Sequence, residues 1–309
     1  MNNIIITEDL CYEFAKGTAV LKNVNLLVPE GAVYGFLGPN GAGKTTTLRL
    51  LLGLLRMQKG SVKIFGNSFA QNRISILKQT GSLIEQPSLY PHLTGSENLD
   101  VYRIIYGCTK QRVEEVLKLV KLDDARGKLV KAYSLGMKQR LSIALALLHK
   151  PKLLILDEPT NGLDPQGIIE IRELITSLAK DTGVTVLVSS HNLSEVEKTA
   201  THVGIINKGS LLFQGNIEEL QKMKAKNKKV MICTSDNDAS LGIAKRFFAD
   251  AEIKGEEILI SADDKDKIAL LNEELVHGGI GVYEISTMKN NLEDLFIELT
   301  TKDNADINN

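Results

Sequence analysis

The chain has 309 residues, 43% of them hydrophobic and 24% charged. A length prior of roughly 150 residues per domain suggests about two domains, and the apolar share excludes a mostly disordered chain. The 37 Lys and Arg against 38 Asp and Glu leave a formal charge of -1, which supplies no general electrostatic reason to bind nucleic acid or an acidic membrane surface.

Met1–Leu10 carries acidic Glu8 and Asp9 and no basic leader, so no secretory signal is expected. Val33–Leu37 is a short apolar run ending in Gly38, and a helical pattern begins near Lys44. The stretch Leu48–Met57 is interrupted by Arg49, Gly53 and Arg56, and Ile143–Leu148 is short. Neither approaches the ~18–20 residues that span a bilayer, so no direct membrane insertion is expected. Val113, Val116, Leu117 and Val120 fall on one helical face. Leu153–Leu156 is an aliphatic run stopped by acids and Pro159, as suits a strand buried on both faces. Ile168, Ile171, Leu174, Ile175 and Leu178 mark another helix, and Val184–Val188 the next buried strand. This alternation predicts an α/β domain around a largely parallel sheet over residues 1–220.

Residues 221–229 (QKMKAKNKK) are basic and lack a strong apolar face, which reads as a linker or an exposed helix end. A small α/β module is expected over residues 230–309. Its strands are Val230–Thr234, Ile258–Ser261 and Ile280–Ile285, with one helix on Ile268, Leu271 and Leu275 and a closing helix on Leu292, Leu295, Phe296 and Leu299. Cys11, Cys108 and Cys233 are far apart, odd in number and without CxxC spacing, so they read as reduced, structural thiols.

Gly38-Pro39-Asn40-Gly41-Ala42-Gly43-Lys44-Thr45 fits G-x-x-x-x-G-K-[ST] between a predicted strand and a predicted helix. Glycines let backbone N–H groups curl around phosphate oxygens, and the helix N-terminus adds its positive dipole end. Lys44 is expected to neutralise β/γ-phosphate charge, Thr45 to place its hydroxyl on Mg2+, and Thr46 to add a phosphate hydrogen bond. The Leu153–Leu156 strand ends in Asp157-Glu158. Such adjacent carboxylates can divide the work, Asp157 for the metal and Glu158 polarising the attacking water. The long interval from Lys44 to Asp157 implies an insertion, mainly helical, over about residues 90–150.

Within that insertion stands Ser134-Leu135-Gly136-Met137-Lys138-Gln139-Arg140. With it, and in this order of motifs, the chain resembles the nucleotide-binding subunits of ABC transporters over residues 4–220. The resemblance implies a P-loop ATPase fold with a RecA-like core, an N-terminal antiparallel β subdomain and a helical insertion. It makes Ser134 and Gly136 part of the signature loop, with Leu135 replacing the first glycine. Asn161-Gly162-Leu163-Asp164 becomes the D-loop and His191 the switch histidine facing the γ-phosphate. Phe14 becomes the aromatic that stacks on adenine, with Tyr12 the other choice.

The family's usual metal-touching glutamine falls on Glu85, or on Gln86 if the loop shifts by one residue. Glutamate there, in Leu83-Ile84-Glu85-Gln86-Pro87-Ser88-Leu89-Tyr90, resembles the bacitracin-resistance and lantibiotic self-protection ATPases. The resemblance further implies ATP and Mg2+ as cofactors and a head-to-tail dimer, either a homodimer or a pair with a related second ATPase subunit. It also implies a separate integral membrane permease, contacted near Leu89–Leu99. The expected place is the cytoplasmic face of the membrane. The expected task is to power export of an antimicrobial peptide or drug. Two other classes compete: an ABC ATPase acting on ribosomes or DNA, and a non-catalytic binding module. One motif set, no sustained heptads and a charge of -1 disfavour the first, and intact Lys44, Asp157, Glu158 and His191 disfavour the second. The tail Asn291–Thr300 resembles those of drug- and bacteriocin-export ATPases, and the module's extra length suggests a dimerisation or regulatory role.

Overall fold

The computed structural model describes residues 2–85, 89–226, 229–261 and 264–287. It opens with strands β1 (Asn3–Ala15), β2 (Thr18–Val24) and β3 (Leu27–Pro29). β4 (Val33–Leu37) then leads through the glycine loop into α1 (Lys44–Leu51). β5 (Lys59–Ile64), β6 (Asn67–Ser68), α2 (Phe69–Leu77) and β7 (Thr80–Leu83) follow. Between β7 and β8 (Leu153–Leu156) come α3 (Gly95–Tyr106), α4 (Lys110–Leu119) and α5 (Leu135–Leu147). The next elements are α6 (Pro165–Thr182), β9 (Thr185–Ser190), α7 (Leu193–Glu197), β10 (His202–Asn207) and β11 (Ser210–Asn216).

The chain divides into two compact units, Met1–Ile217 and a second beginning at Glu218. In the first, six strands run in the order β11-β10-β4-β9-β8-β7. The pairs from β10 through β7 are parallel, and only β11 is antiparallel. β4, β8 and β9 are buried at every position, which is why none shows a polar-apolar alternation: helices or a second sheet must cover both faces. The second sheet is antiparallel, β2-β1-β5-β6 with β3 on β1. Leu48 and Leu51 of α1 share one core with Leu10, Leu21 and Val24 of this sheet and with Phe36, Ile155 and Leu187 of the parallel one. The helix that follows the glycine loop is thereby held from both sides.

Residues 221–229, expected as a linker or an exposed helix end, are helix for most of their length. α8 (Ile217–Lys226) runs into them, and β12 (Lys229–Thr234) begins at their last residue. Beyond lie α9 (Asn237–Phe247), β13 (Glu252–Lys254), β14 (Glu257–Ser261), α10 (Lys265–His277) and β15 (Val282–Thr287). The sheet order β13-β14-β12-β15 with every pairing antiparallel is the βαββαβ split motif, not an alternating α/β layer. Val230, Ile232, Ile258 and Ile260 meet Ala244, Leu271 and Leu275 in its core. The expected closing helix, Asn291 to Thr300, lies outside the described residues.

Candidate nucleotide-binding site

The site forms where β4, β8 and β9 end side by side, at the carboxyl edge of the parallel sheet, where open α/β sheets bind their ligands. Gly41 (φ 80°) and Gly43 (φ 109°) take left-handed backbone that lets the loop curl. Gly38 is required by space instead: a Cβ there would stand 2.4 Å from the Ile206 carbonyl oxygen. Gly38→Ala should therefore destabilise the fold by about 1–3 kcal/mol, because the obstructing atom is backbone and cannot swing aside. Chemical denaturation would read that as a lower midpoint at unchanged slope.

Lys44 is buried, and its ammonium has three partners: Gly38 O at 2.7 Å, Pro39 O at 3.2 Å and Glu158 Oε1 at 3.1 Å. The Thr45 hydroxyl donates to Asp157 Oδ2 at 2.8 Å. Across the strand end, Ser189 Oγ donates to Asp157 Oδ1 at 2.5 Å and accepts the Glu158 N–H at 2.9 Å. The other Glu158 oxygen meets His191 Nδ1 at 2.8 Å. Glu158 itself has φ 46°, a left-handed conformation that costs a non-glycine residue about 1–3 kcal/mol and is held only where its surroundings over-determine it. Lys44, Thr45, Asp157, Glu158 and His191 are thus one hydrogen-bonded cluster. Ala42 is buried in the loop, Pro39 and Thr46 are partly buried, and Asn40 is exposed at its tip.

The remaining predicted residues stand apart from this cluster. Ser134 caps α5 by accepting the Met137 N–H at 3.2 Å, and Asp164 caps α6 by accepting the Gly167 N–H at 3.0 Å. Both caps are exposed, and a Cβ on Gly136 would meet open space. Phe14 is 62% exposed and sits edge-on to Tyr12 at 5.0 Å between centroids. Tyr12 packs on the core, so Phe14 has the free ring face. Glu85 (φ 65°) pairs with Arg49 of α1, and Gln86 lies outside the described residues. Glu85 shares with Leu135, Gln139, Asp157 and Glu158 the lining of a cleft of about 380 Å3.

Two partners in this network were not found by motif spacing, Ser189 and Arg49. Ser189 had no distinguishing signal, because Thr185 and Ser190 on the same buried strand also carry hydroxyls. Arg49 had none, since a basic residue on a helix face is ordinary.

The sequence pattern that defines the ABC transporter family matches residues 21–161. The bacitracin transport ATP-binding protein BcrA of Bacillus licheniformis is 44% identical over 302 residues, covering 97% of this chain and 98% of BcrA. The chain belongs to the ABC transporter ATP-binding proteins. The lantibiotic transport ATP-binding protein SrtF of Streptococcus pyogenes is 43% identical over 219 residues, 69% of this chain and 93% of SrtF. Among solved structures, cbiO1 of Clostridium perfringens, part of the ABC transporter complex cbiONQ, superposes with a TM-score of 0.67 at 28% identity, covering 72% of this chain and 92% of cbiO1. As an ABC transporter ATPase the chain binds ATP and works with a permease and a partner ATPase domain. Among the described residues no helix is long and apolar enough to cross a membrane.

Proposed function

We propose that this ATPase powers export of an antimicrobial peptide or drug through a separate permease, from the cytoplasmic face of the membrane. The observation that carries the reading is the 44% identity with BcrA across 97% of the chain. That span takes in the C-terminal unit, whereas the match with SrtF occupies only 69% of the chain. In the test, the gene is deleted in its own host and the cells are challenged with bacitracin and lantibiotics. Sensitisation reversed by the wild-type gene, but not by Glu158→Gln, is the expected result; unchanged resistance to both drug classes would refute the export reading.

In this reading the backbone amides of the Gly38–Gly43 loop and Lys44 hold the ATP phosphates, and Phe14 stacks on the adenine. Thr45 and Asp157 are hard oxygen donors of the kind Mg2+ takes. When bound, Mg2+ neutralises charge on the β- and γ-phosphate oxygens. Glu158 orients and deprotonates the attacking water, and His191 holds the Glu158 carboxylate and faces the γ-phosphate. Ser134, Gly136 and Asp164, on exposed helix starts, complete the site of the partner domain, in a homodimer or with a related subunit. No nucleic acid is involved.

Glu85, which pairs with Arg49 and lines the same cleft as Asp157 and Glu158, links nucleotide chemistry to the permease, whose contact is Leu89–Leu99. Glu85→Gln should leave ATP hydrolysis by the isolated ATPase within about threefold of wild type, since an exposed ion pair typically contributes only ~0–1 kcal/mol. Resistance in cells should fall. Full resistance in that strain would remove Glu85 from the coupling path.

A further inference from the structure

We infer that the buried Ser189 hydroxyl is the positioning group that separates the tasks of Asp157 and Glu158, turning one Asp157 oxygen toward the metal and holding the Glu158 backbone in the turn that aims its carboxylate. The inference rests on the reading of Asp157 as metal ligand and Glu158 as base. Ser189 is fully buried on β9. Leu156 pairs with Val188, so the parallel register brings Asp157 and Ser189 together just past the last ladder pair.

A serine hydroxyl has one proton to give and lone pairs to accept with. Here the proton goes to Asp157 Oδ1 at 2.5 Å, and a lone pair takes the Glu158 N–H at 2.9 Å. With Oδ1 held against β9, Oδ2 is the oxygen that meets the Thr45 hydroxyl at 2.8 Å. The carboxylate is thus held at both oxygens by two hydroxyls from different elements. The second bond acts on the backbone. Glu158 sits at φ 46°, two residues past the end of β8, and its N–H is given to Ser189 Oγ. Ser189 is what satisfies it there, so the turn that directs Glu158 to Lys44 and His191 depends on the same oxygen.

The neighbouring serine supplies a matched control. Ser190 is also buried, but its hydroxyl is engaged with the Asn192 N–H and carbonyl in the turn that follows. It touches neither acid. Groups that orient metal ligands typically alter metal affinity or activity by about 10–100-fold when removed.

The experiment titrates Mn2+ into the ATP-loaded full-length protein and follows free Mn2+ by electron paramagnetic resonance. ATP affinity in EDTA is measured in parallel. Ser189→Ala should weaken Mn2+ binding by about 10–100-fold while leaving metal-free ATP affinity unchanged. Ser189→Thr, which keeps the hydroxyl, should restore most of it, and Ser190→Ala should match wild type. If Ser189→Ala does not fold, Ser189→Cys, similar in size with a weak donor, carries the same comparison. Mn2+ affinity within about threefold of wild type in the Ser189 variant, with Asp157→Asn losing it, would overturn the inference and leave the metal-site reading standing. Retention in both variants would overturn the metal-site reading itself. A loss of metal-free ATP affinity as large as the loss of Mn2+ affinity would show that Ser189 merely supports the fold, and would also overturn the inference.

Discussion

Glu158→Gln should retain ATP binding and lower turnover by about a hundred- to ten-thousand-fold, the range expected when a positioned general base is removed. The substitution is nearly isosteric, and the amide oxygen can still accept the Lys44 ammonium that now lies 3.1 Å from Oε1. The backbone bond from the Glu158 N–H to Ser189 Oγ is untouched, so the left-handed turn at this residue persists. What disappears is the ability to take a proton from water. The amide end facing His191 Nδ1 also becomes a donor, which obliges the imidazole to carry its proton on the other nitrogen. With binding preserved and hydrolysis blocked, ATP should hold two ATPase domains together. A dimer that appears on size-exclusion chromatography with ATP and not with ADP is the expected companion result. Phosphate release at the wild-type rate would remove Glu158 from the role of base.

The catalytic edge of the fold was legible because phosphate chemistry constrains neighbouring residues tightly. The glycine spacing, the lysine and the acidic end of an aliphatic strand are all consequences of one geometry, and they fall within short windows of sequence. Ser189 escaped because its role exists only once β8 and β9 are paired in register, which no local pattern encodes. Tyr12 and Phe14 both lie on β1, and packing shows which of the two rings the core has taken, Tyr12.

The C-terminal unit was harder for a different reason. α9 was missed because the residues it buries fully, Ser240 and Ala244, are small, and its larger apolar residues Leu241, Ile243 and Phe247 are only partly buried. β13 was missed because its three residues are too few to show a period and none of them is buried. Antiparallel topology was also out of reach, since strand length and apolarity alone do not specify the direction of pairing. The stretch read as a linker or an exposed helix end is basic and thinly apolar, features that such a helix shares with a tether, so the sequence left both open.

Lys44→Ala should weaken ATP binding by about ten- to a hundred-fold, the equivalent of one or two charge-assisted hydrogen bonds to phosphate. It should also disturb the protein without nucleotide. Lys44 is 6% exposed, and its ammonium neutralises Glu158 and donates to the Gly38 and Pro39 carbonyls, so truncation leaves the carboxylate without its cation and the Gly38 carbonyl short of a donor, while Pro39 keeps the Ala42 N–H. Glu158 is itself 20% exposed, which lets water recover part of the loss and limits the cost to about 1–3 kcal/mol. Lys44→Arg should not rescue binding, because a planar five-donor fork cannot follow the path of a single ammonium through a closed loop. The two effects are separable. Adding Glu158→Gln to Lys44→Ala removes the unpaired charge, so the double variant should regain much of the lost stability while its ATP affinity stays low. Equilibrium unfolding and nucleotide titration on the four proteins of that cycle give the coupling between the two side chains directly. A coupling near zero in stability would mean the Lys44–Glu158 pair contributes nothing to the fold. A recovery of ATP affinity in the double variant would mean that Lys44 acts on nucleotide only by neutralising Glu158, not by touching phosphate.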